Sequence, residues 1–240
     1  MKEIWRLDKV LSNSGYGSRK EIKQIVKSGA VKIDGVVATD SGMHVDPYVN
    51  KIEIDGEVLN YRKFVYLMLN KPDGVVSATY DPRKKTVIDL LPEDYRCFDI
   101  FPVGRLDIDT EGLLLMTNDG QIAHELLSPK KHVPKRYYAL VEGFVDEEDG
   151  LKFKEGIVLD DGYKTLPAQL FILKQGEFSE IELIITEGKF HQVKRMFSGV
   201  GKKVKYLRRI QMGGLKLDES LPLGMARELT QEELEMIKDE

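Results

Sequence analysis

Residues 104–120, GRLDIDTEGLLLMTNDG, most tightly constrain how this chain can fold. Leu113-Leu114-Leu115-Met116 is an apolar run that reads as a buried strand, and three carboxylates, Asp107, Asp109 and Glu111, stand directly ahead of it. A carboxylate carried into an apolar interior without a partner is costly. Asp107, flanked by Leu106 and Ile108, must therefore face a cleft or meet a cation. Two sources of positive charge qualify: Arg105 beside it, and the distant pair Lys194-Arg195 in GKFHQVKRMF. Asp109 has a cheaper option, bonding to the backbone N–H of Glu111 or Gly112 as aspartates in turns do. On spacing alone, a turn with capping acids is the simpler account of both aspartates.

The first 60 residues read as a separate unit. Leu7, Val10 and Leu11 follow i, i+3, i+4 spacing, a short amphipathic helix closed by Gly15. Ser18 and Glu21 form an S-x-x-E capping box opening a second helix that ends at Gly29. Ile22, Ile25 and Val26 make its buried stripe; Arg19, Lys20, Lys23 and Lys27 make a basic ridge on the other faces. AVKIDGVVAT then reads as a hairpin turning at Asp34-Gly35, and NKIEIDGEVL repeats the idea at Asp55-Gly56. NYRK at 60–63 reads as a linker.

Beyond it strands dominate: FVYLMLNKP stopped by Pro72, YYALVEG, QLFILK and EIELIITEG. Helices interrupt them irregularly, at GQIAHELLS after the Asn118-Asp119 turn, from about Phe190 to Val200, and at TQEELEMIKD behind a Thr230/Glu233 capping box. The class is α+β, with domains expected at 1–60 and 64–240. No internal repeat or low-complexity segment occurs.

Charge sorts the possible partners. The net charge of −4 argues against a polyanion, but residues 1–32 carry eight Lys/Arg against three acids, and residues 186–216 carry nine against Glu187 alone. A local basic face, not the sum over the chain, governs nucleic-acid binding. No apolar run approaches the roughly 20 residues of a membrane helix. The charged start MKEIWRLDKVL lacks a signal-peptide core, and the single Cys97 fits a reducing compartment, so the cytoplasm is expected. His44, His124, His132 and His191 never occur in H-x-x-x-H spacing, and Cys97 has no cysteine partner, so no metal site is expected. Walker-A, G-x-G-x-x-G and G-x-S-x-G sequences are absent as well. A carboxylate-based site remains.

Two resemblances give these features a common meaning. Arg6-Leu7-Asp8 with Leu11, then Ser18-Arg19, then Val31-Lys32-Ile33-Asp34-Gly35 resemble the signature of the S4 RNA-binding domain, a small unit of the αL type whose second helix and adjoining loop grip structured RNA. GRLDIDTEGLLL resembles G-R-L-D-x-x-T-x-G-L-L-L, the active-site motif of a branch of pseudouridine synthases, matching at every fixed position from Gly104 to Leu115. YLMLNKPDGVVS, KRYYALVEG, EGKFHQVKRMF and LRRIQMGGLKLDESLPLGMARELT resemble that family's other motifs in order.

The resemblance implies a mostly antiparallel mixed-sheet catalytic domain with flanking helices, working without cofactor as an isomerase. It implies that Asp107 is the catalytic residue and that Asp109 sits at a variable position. Tyr137, rather than Tyr138, would stack against the target base, Lys194 would pair with Asp107, and Arg105 would fill the space the base vacates. Arg195 is expected beside Lys194 in support. RNA contacts are expected at Arg6, Ser18, Arg19, Lys20, Lys23, Lys27, Lys71, Lys189, His191 and Gln192. The expected partner is ribosomal RNA, free or in an assembling particle, met by a monomer. The 240-residue length, HQVKRMF and the acidic end EELEMIKDE favour 16S over 23S RNA.

Two other classes of function remain as rivals. One is a ribosome-assembly factor with an S4 domain and an inactive synthase fold. The other is a glycosidase pairing Asp107 with Asp109 or Glu111 across a sugar. The second needs two carboxyls roughly 5–9.5 Å apart across a sugar and is the less favoured.

Overall fold

A computed structural model describes residues 3–95 and 97–238. The chain divides into two compact units, the first comprising Met1–Val65 with Pro92–Ile100 and the second Tyr66–Leu91 with Phe101–Glu240.

The first unit holds β1 (Trp5–Arg6), α1 (Leu7–Asn13), α2 (Arg19–Lys27), β2 (Val31–Ile33), β3 (Val36–Val37), β4 (His44–Val45), β5 (Ile52–Ile54) and β6 (Glu57–Val58). The helical spacing does what it predicts: Leu7, Val10, Leu11 and Ile22 are fully buried, and Val26 nearly so. The capping box forms, with the Ser18 N–H donating to Glu21 Oε2 at 2.8 Å and the Glu21 N–H donating to Ser18 Oγ at 3.4 Å. Asp34 and Gly35 take φ of +52° and +83°, the left-handed pair that a two-residue hairpin turn needs. Four strands pair antiparallel in the order β3-β2-β5-β6, and β1 pairs β4.

NYRK is not a free linker. Tyr61 lies in this unit's core, and Lys63 Nζ stands 3.1 Å from Glu3 Oε1. The second domain is also not continuous from residue 64, because residues 92–100 pack with the first unit. The Cys97 side chain occupies the space any Cβ on Gly15 would fill, at φ +84°. The Arg62 guanidinium sits 5.6 Å from the Phe98 ring centroid. A short 3-10 turn at Glu93–Tyr95 has no periodicity that sequence could register.

The second unit holds β7 (Tyr66–Lys71), β8 (Phe101–Pro102), β9 (Glu111–Thr117), α3 (Gly120–Leu127), β10 (Lys135–Glu142), α4 (Glu147–Glu155), β11 (Gln169–Lys174), β12 (Phe178–Ile185), α5 (Gln192–Gly199), β13 (Lys203–Met212), β14 (Leu215–Lys216), β15 (Ala226–Glu228) and α6 (Gln231–Lys238). Its sheet runs β11-β12-β10-β13-β9-β7-β15, with β14 on β13 and β8 on β9. The β9–β13 pair is parallel and the others antiparallel, a mixed, mostly antiparallel sheet in an α+β fold. The apolar run of β9 is covered on both faces. Leu113 and Leu115 join a core with Met68, with Ile122, Ala123 and Leu126 of α3 and with Ile237 of α6, while Leu114 and Met116 are equally buried on the other face.

Helix ends follow local chemistry. Asp119 caps α3, its Oδ1 accepting from the Gln121 N–H at 3.0 Å and the Ile122 N–H at 3.4 Å. Thr230 and Glu233 close their capping box ahead of α6. The helix expected from Phe190 starts only at Gln192, because His191 adopts the left-handed conformation at φ +49°. Two elements had no clear signature. In α4 the Asp146/Asp149 pair supplies the cap, but Gly150 and a single buried apolar residue, Phe153, blur the period. In β13 the buried Arg209 interrupts the apolar alternation.

Candidate active site

Asp107 lies in the loop between β8 and β9, and backbone hydrogen bonds hold that loop from several sides. The Ser77 hydroxyl donates to the Leu106 carbonyl at 2.9 Å and accepts from the Leu106 N–H at 3.1 Å. The Thr110 N–H donates to the Asp107 carbonyl at 3.1 Å, closing a turn, and the Gly74 N–H donates to the Ile108 carbonyl at 2.9 Å. Lys71 is fully buried, and its Nζ donates to the carbonyls of Pro72 (3.0 Å), Ile108 (3.2 Å) and Thr110 (3.0 Å). Burial pulls its pKa down to about 8, against the opposing pull of Asp73, Asp109, Asp107 and Glu111. Gly112 admits no other residue: at φ +99° a Cβ would collide with the Arg209 carbonyl oxygen across the parallel pair.

The cation that Asp107 requires comes from α5. Lys194 Nζ stands 3.3 Å from Asp107 Oδ2 and 2.5 Å from Asp109 Oδ1. Asp109 therefore takes a lysine rather than the backbone N–H expected of it. Burial raises the Asp109 pKa, but the hydrogen bond and charge of Lys194 outweigh this and hold it below the usual range. Ile108 and Asp109 form a turn, and both aspartates reach the same ammonium. His191 Nε2 adds a third neighbour, 3.7 Å from Asp107 Oδ1. Glu111 accepts from the Tyr206 hydroxyl at 2.5 Å, and burial with this contact pushes the Tyr206 pKa up to about 12.

Asp107 opens onto a cleft that is open to solvent and lined by Arg105, Leu106, Thr110, Tyr137 and Leu207 among others. Tyr137 is buried to 8% exposure and faces this space, whereas the Tyr138 hydroxyl donates to Glu180 Oε2 at 3.0 Å. The cleft thus offers a carboxylate beside an ammonium, an aromatic ring and an exposed arginine: a place for a flat polar ring and an anionic chain.

Four expected residues have their polar groups engaged within the protein. Arg195 turns from Asp107 to Asp160 and Asp161, with Nε at 2.6 Å from Asp160 Oδ1 and Nη2 at 2.7 Å from Asp161 Oδ2. Lys71, expected on RNA, is sealed inside the loop. Gln192 is 4% exposed; its Oε1 accepts from the Lys189 N–H at 2.8 Å and its Nε2 donates to Glu187 Oε1 at 2.8 Å. Ser18 spends its hydroxyl on Glu21, donating to Oε2 at 2.6 Å.

Arg19, Lys20, Lys23 and Lys27 are exposed as predicted, and Arg6 is held by Asp8 at 2.7 Å with 55% of its side chain exposed. Lys189 is exposed with Nζ 4.5 Å from the Tyr163 ring centroid. Ser77 and Glu187 are structural members of the site that sequence reasoning missed. Both act mainly through hydrogen bonds to residues distant in sequence, for which no residue pattern exists.

Comparison with known proteins gives this geometry its relatives. Residues 65–199 match the family model for RNA pseudouridylate synthase, and residues 5–47 match the S4 domain. The chain is 54% identical over 98% of its length to an uncharacterized RNA pseudouridine synthase of Bacillus subtilis, covering 98% of that protein. It is 40% identical over 97% of its length to ribosomal large subunit pseudouridine synthase B of Bacillus subtilis, covering 95% of it. It is equally 40% identical over 97% of its length to ribosomal small subunit pseudouridine synthase A of Vibrio cholerae, covering 99% of it. A crystal structure of a pseudouridylate synthase superposes with a TM-score of 0.68 at 35% identity, covering 97% of this chain and 99% of the other. These matches span the unit that carries the Asp107 cleft and the unit that carries the basic helix pair: the chain belongs to the RNA pseudouridylate synthase family and carries an S4 domain at its N-terminal end.

Proposed function

We propose that this chain isomerises one uridine of 16S ribosomal RNA to pseudouridine, with Asp107 as the catalytic residue. The observation that carries the reading is the position of Asp107 on the cleft, ion-paired to Lys194 with Tyr137 on the same wall. The reaction breaks the N–glycosidic bond, turns the base and rejoins it to the ribose through C5. No electrons enter or leave, so side chains alone can serve it.

Asp107 acts as nucleophile or as the base that takes the ribose C2′ proton; either role needs it ionised and aimed. The Lys194 ammonium stands 3.3 Å from its carboxylate, and the bonds from Ser77, Lys71 and Gly74 fix the peptide segment that carries it. The target base must leave its stack at a cost of a few kcal/mol. Stacking on Tyr137 offsets about 1–3 kcal/mol of that. Arg105, exposed beside the cleft, is placed to enter the gap left in the RNA. The ridge of Arg19, Lys20, Lys23 and Lys27 supplies phosphate contacts.

Support for 16S RNA comes from relatives at 38–40% identity named for the small subunit. The large-subunit relative at 40% identity favours a second reading, the same chemistry on 23S RNA. Mapping pseudouridines in both RNAs from cells with and without the gene decides between them. A 16S site lost with the gene and restored by wild type, but not by Asp107→Asn, is the expected result. No site lost in either RNA refutes the enzyme reading and leaves an assembly factor.

A further inference from the structure

Phe190 has no role in the site as described, yet it stands between Lys189 and His191, two residues that line the Asp107 cleft, and is 73% exposed. Single exposed apolar side chains are ordinary on protein surfaces. The setting of this one is not. Its ring stacks on the His191 imidazole, 3.8 Å between centroids and 19° between planes. The same imidazole puts Nε2 3.7 Å from Asp107 Oδ1. His191 therefore covers one face of the phenyl ring, and most of the residue's surface stays in water.

The segment that presents the ring is held in place. Glu187 Oε1 accepts from the Leu166 N–H at 3.0 Å and from Gln192 Nε2 at 2.8 Å, and Glu187 Oε2 accepts from the Tyr163 hydroxyl at 2.7 Å. Gln192 Oε1 in turn accepts from the Lys189 N–H. His191 is fixed in the left-handed region at φ +49°, which turns the chain between Phe190 and α5. An exposed aromatic on a tethered segment has lost conformational freedom before any ligand arrives, so it can bind at low entropic cost.

We propose that Phe190 is the stacking platform for an RNA base next to the target uridine, positioning the strand while that uridine enters the cleft. This rests on the pseudouridine synthase reading above. The chemistry selects a nucleobase. Lys189, His191 and Arg105 surround the rim with basic groups suited to phosphates, and a bare ring face accepts any base. Phe190 touches no reacting atom; it is a positioning residue, acting on KM rather than on the chemical step.

The test uses ribosomal RNA labelled with 5-tritiated uridine, extracted from cells lacking the gene, and follows tritium release by wild type, Phe190→Ala, Phe190→Leu and Phe190→Trp. Loss of one stacked base corresponds to roughly 5- to 150-fold in affinity. Phe190→Ala is expected to raise KM within that range with kcat nearly unchanged. Phe190→Leu keeps an apolar side chain without a ring face and is expected to stay impaired; Phe190→Trp is expected to restore KM. Natural tryptophan occurs only at Trp5, so the Phe190→Trp protein should also show indole quenching by RNA beyond that of wild type. An unchanged KM in Phe190→Ala, or full recovery in Phe190→Leu, overturns the stacking role while the enzyme reading stands. Absence of turnover by wild type on either ribosomal RNA overturns both.

Discussion

Replacing Lys71 with methionine separates the chemistry of a buried lysine from its shape. Methionine fills much the same space and leaves the carbonyls of Pro72, Ile108 and Thr110 without their donor. Hydrogen bonds to a charged group contribute about 1.5–3 kcal/mol each. Against them stands the desolvation of an ammonium with no exposed surface, which lowers its pKa from 10.5 to about 8. At neutral pH the two effects oppose, so the change in stability should be modest.

The pH dependence is the sharper readout. Folded protein loses the Lys71 proton above about pH 8, while the unfolded chain keeps it to about 10.5. Within that window the unfolded state binds more protons, so stability rises with pH; below pH 8 both states are protonated and the slope vanishes. Between pH 7 and pH 10 the linkage amounts to about 2.5 kcal/mol in favour of wild type over Lys71→Met. Urea unfolding of both proteins at several pH values measures the difference directly, and titrations common to both cancel. Turnover at pH 7 should fall more than stability does, because two of the three carbonyls belong to the turn carrying Asp107 and Asp109. A wild-type advantage that does not grow with pH would refute the account of Lys71 as a desolvated lysine.

Asp107→Asn should abolish pseudouridine formation with RNA affinity retained, measured by tritium release and filter binding; substantial residual turnover would contradict the assignment. Asp109→Asn should cost little: an exposed ion pair is worth about 0.2–1 kcal/mol, or no more than about fivefold in rate, and Lys194 keeps Asp107. Loss of activity as deep as at Asp107 would show that Asp109 does chemistry. Reversing Arg19, Lys20 and Lys23 should weaken RNA binding and flatten its salt dependence by about 0.7–0.9 for each phosphate no longer neutralised, as titrations at several salt concentrations would reveal. Gly112→Ala should destabilise by roughly 3 kcal/mol or more in thermal unfolding, since its Cβ meets the backbone of Arg209 and strand pairing must open to admit it.

Much of the fold was legible in the sequence because its signals are local. Ser18 with Glu21, Asp34-Gly35 and the i, i+3, i+4 set at Leu7 each encode a geometry within a few residues, and each forms as predicted. What escaped depends on distant chain. The 92–100 segment carries no period of its own; its place follows from Cys97 filling the space above Gly15. β13 lies in the basic stretch 186–216, and only the structure shows Arg209 buried there, its Nε donating to the Leu113 carbonyl at 2.8 Å.

The same distinction sorts the candidate site. Residue type identified a carboxylate that needed a cation, and the buried run after it located the pair; Lys194 then met Asp107 across 87 positions of sequence. Type could not say which of several basic residues would do so. Lys194 and Arg195 are neighbours on one helix, but consecutive helical residues point about 100° apart, so only one can face the cleft. The other found Asp160 and Asp161. Lys71 shows the converse error: a lysine beside an RNA site is read as a phosphate contact, yet three carbonyl oxygens in a buried loop satisfy an ammonium as fully as a phosphate would. Basic residues in an RNA enzyme thus divide by what already surrounds them. Those of α2 keep their charge toward water, whereas Lys71 and Arg195 have theirs answered within the protein, and mutation should move RNA affinity in the first group and loop geometry in the second.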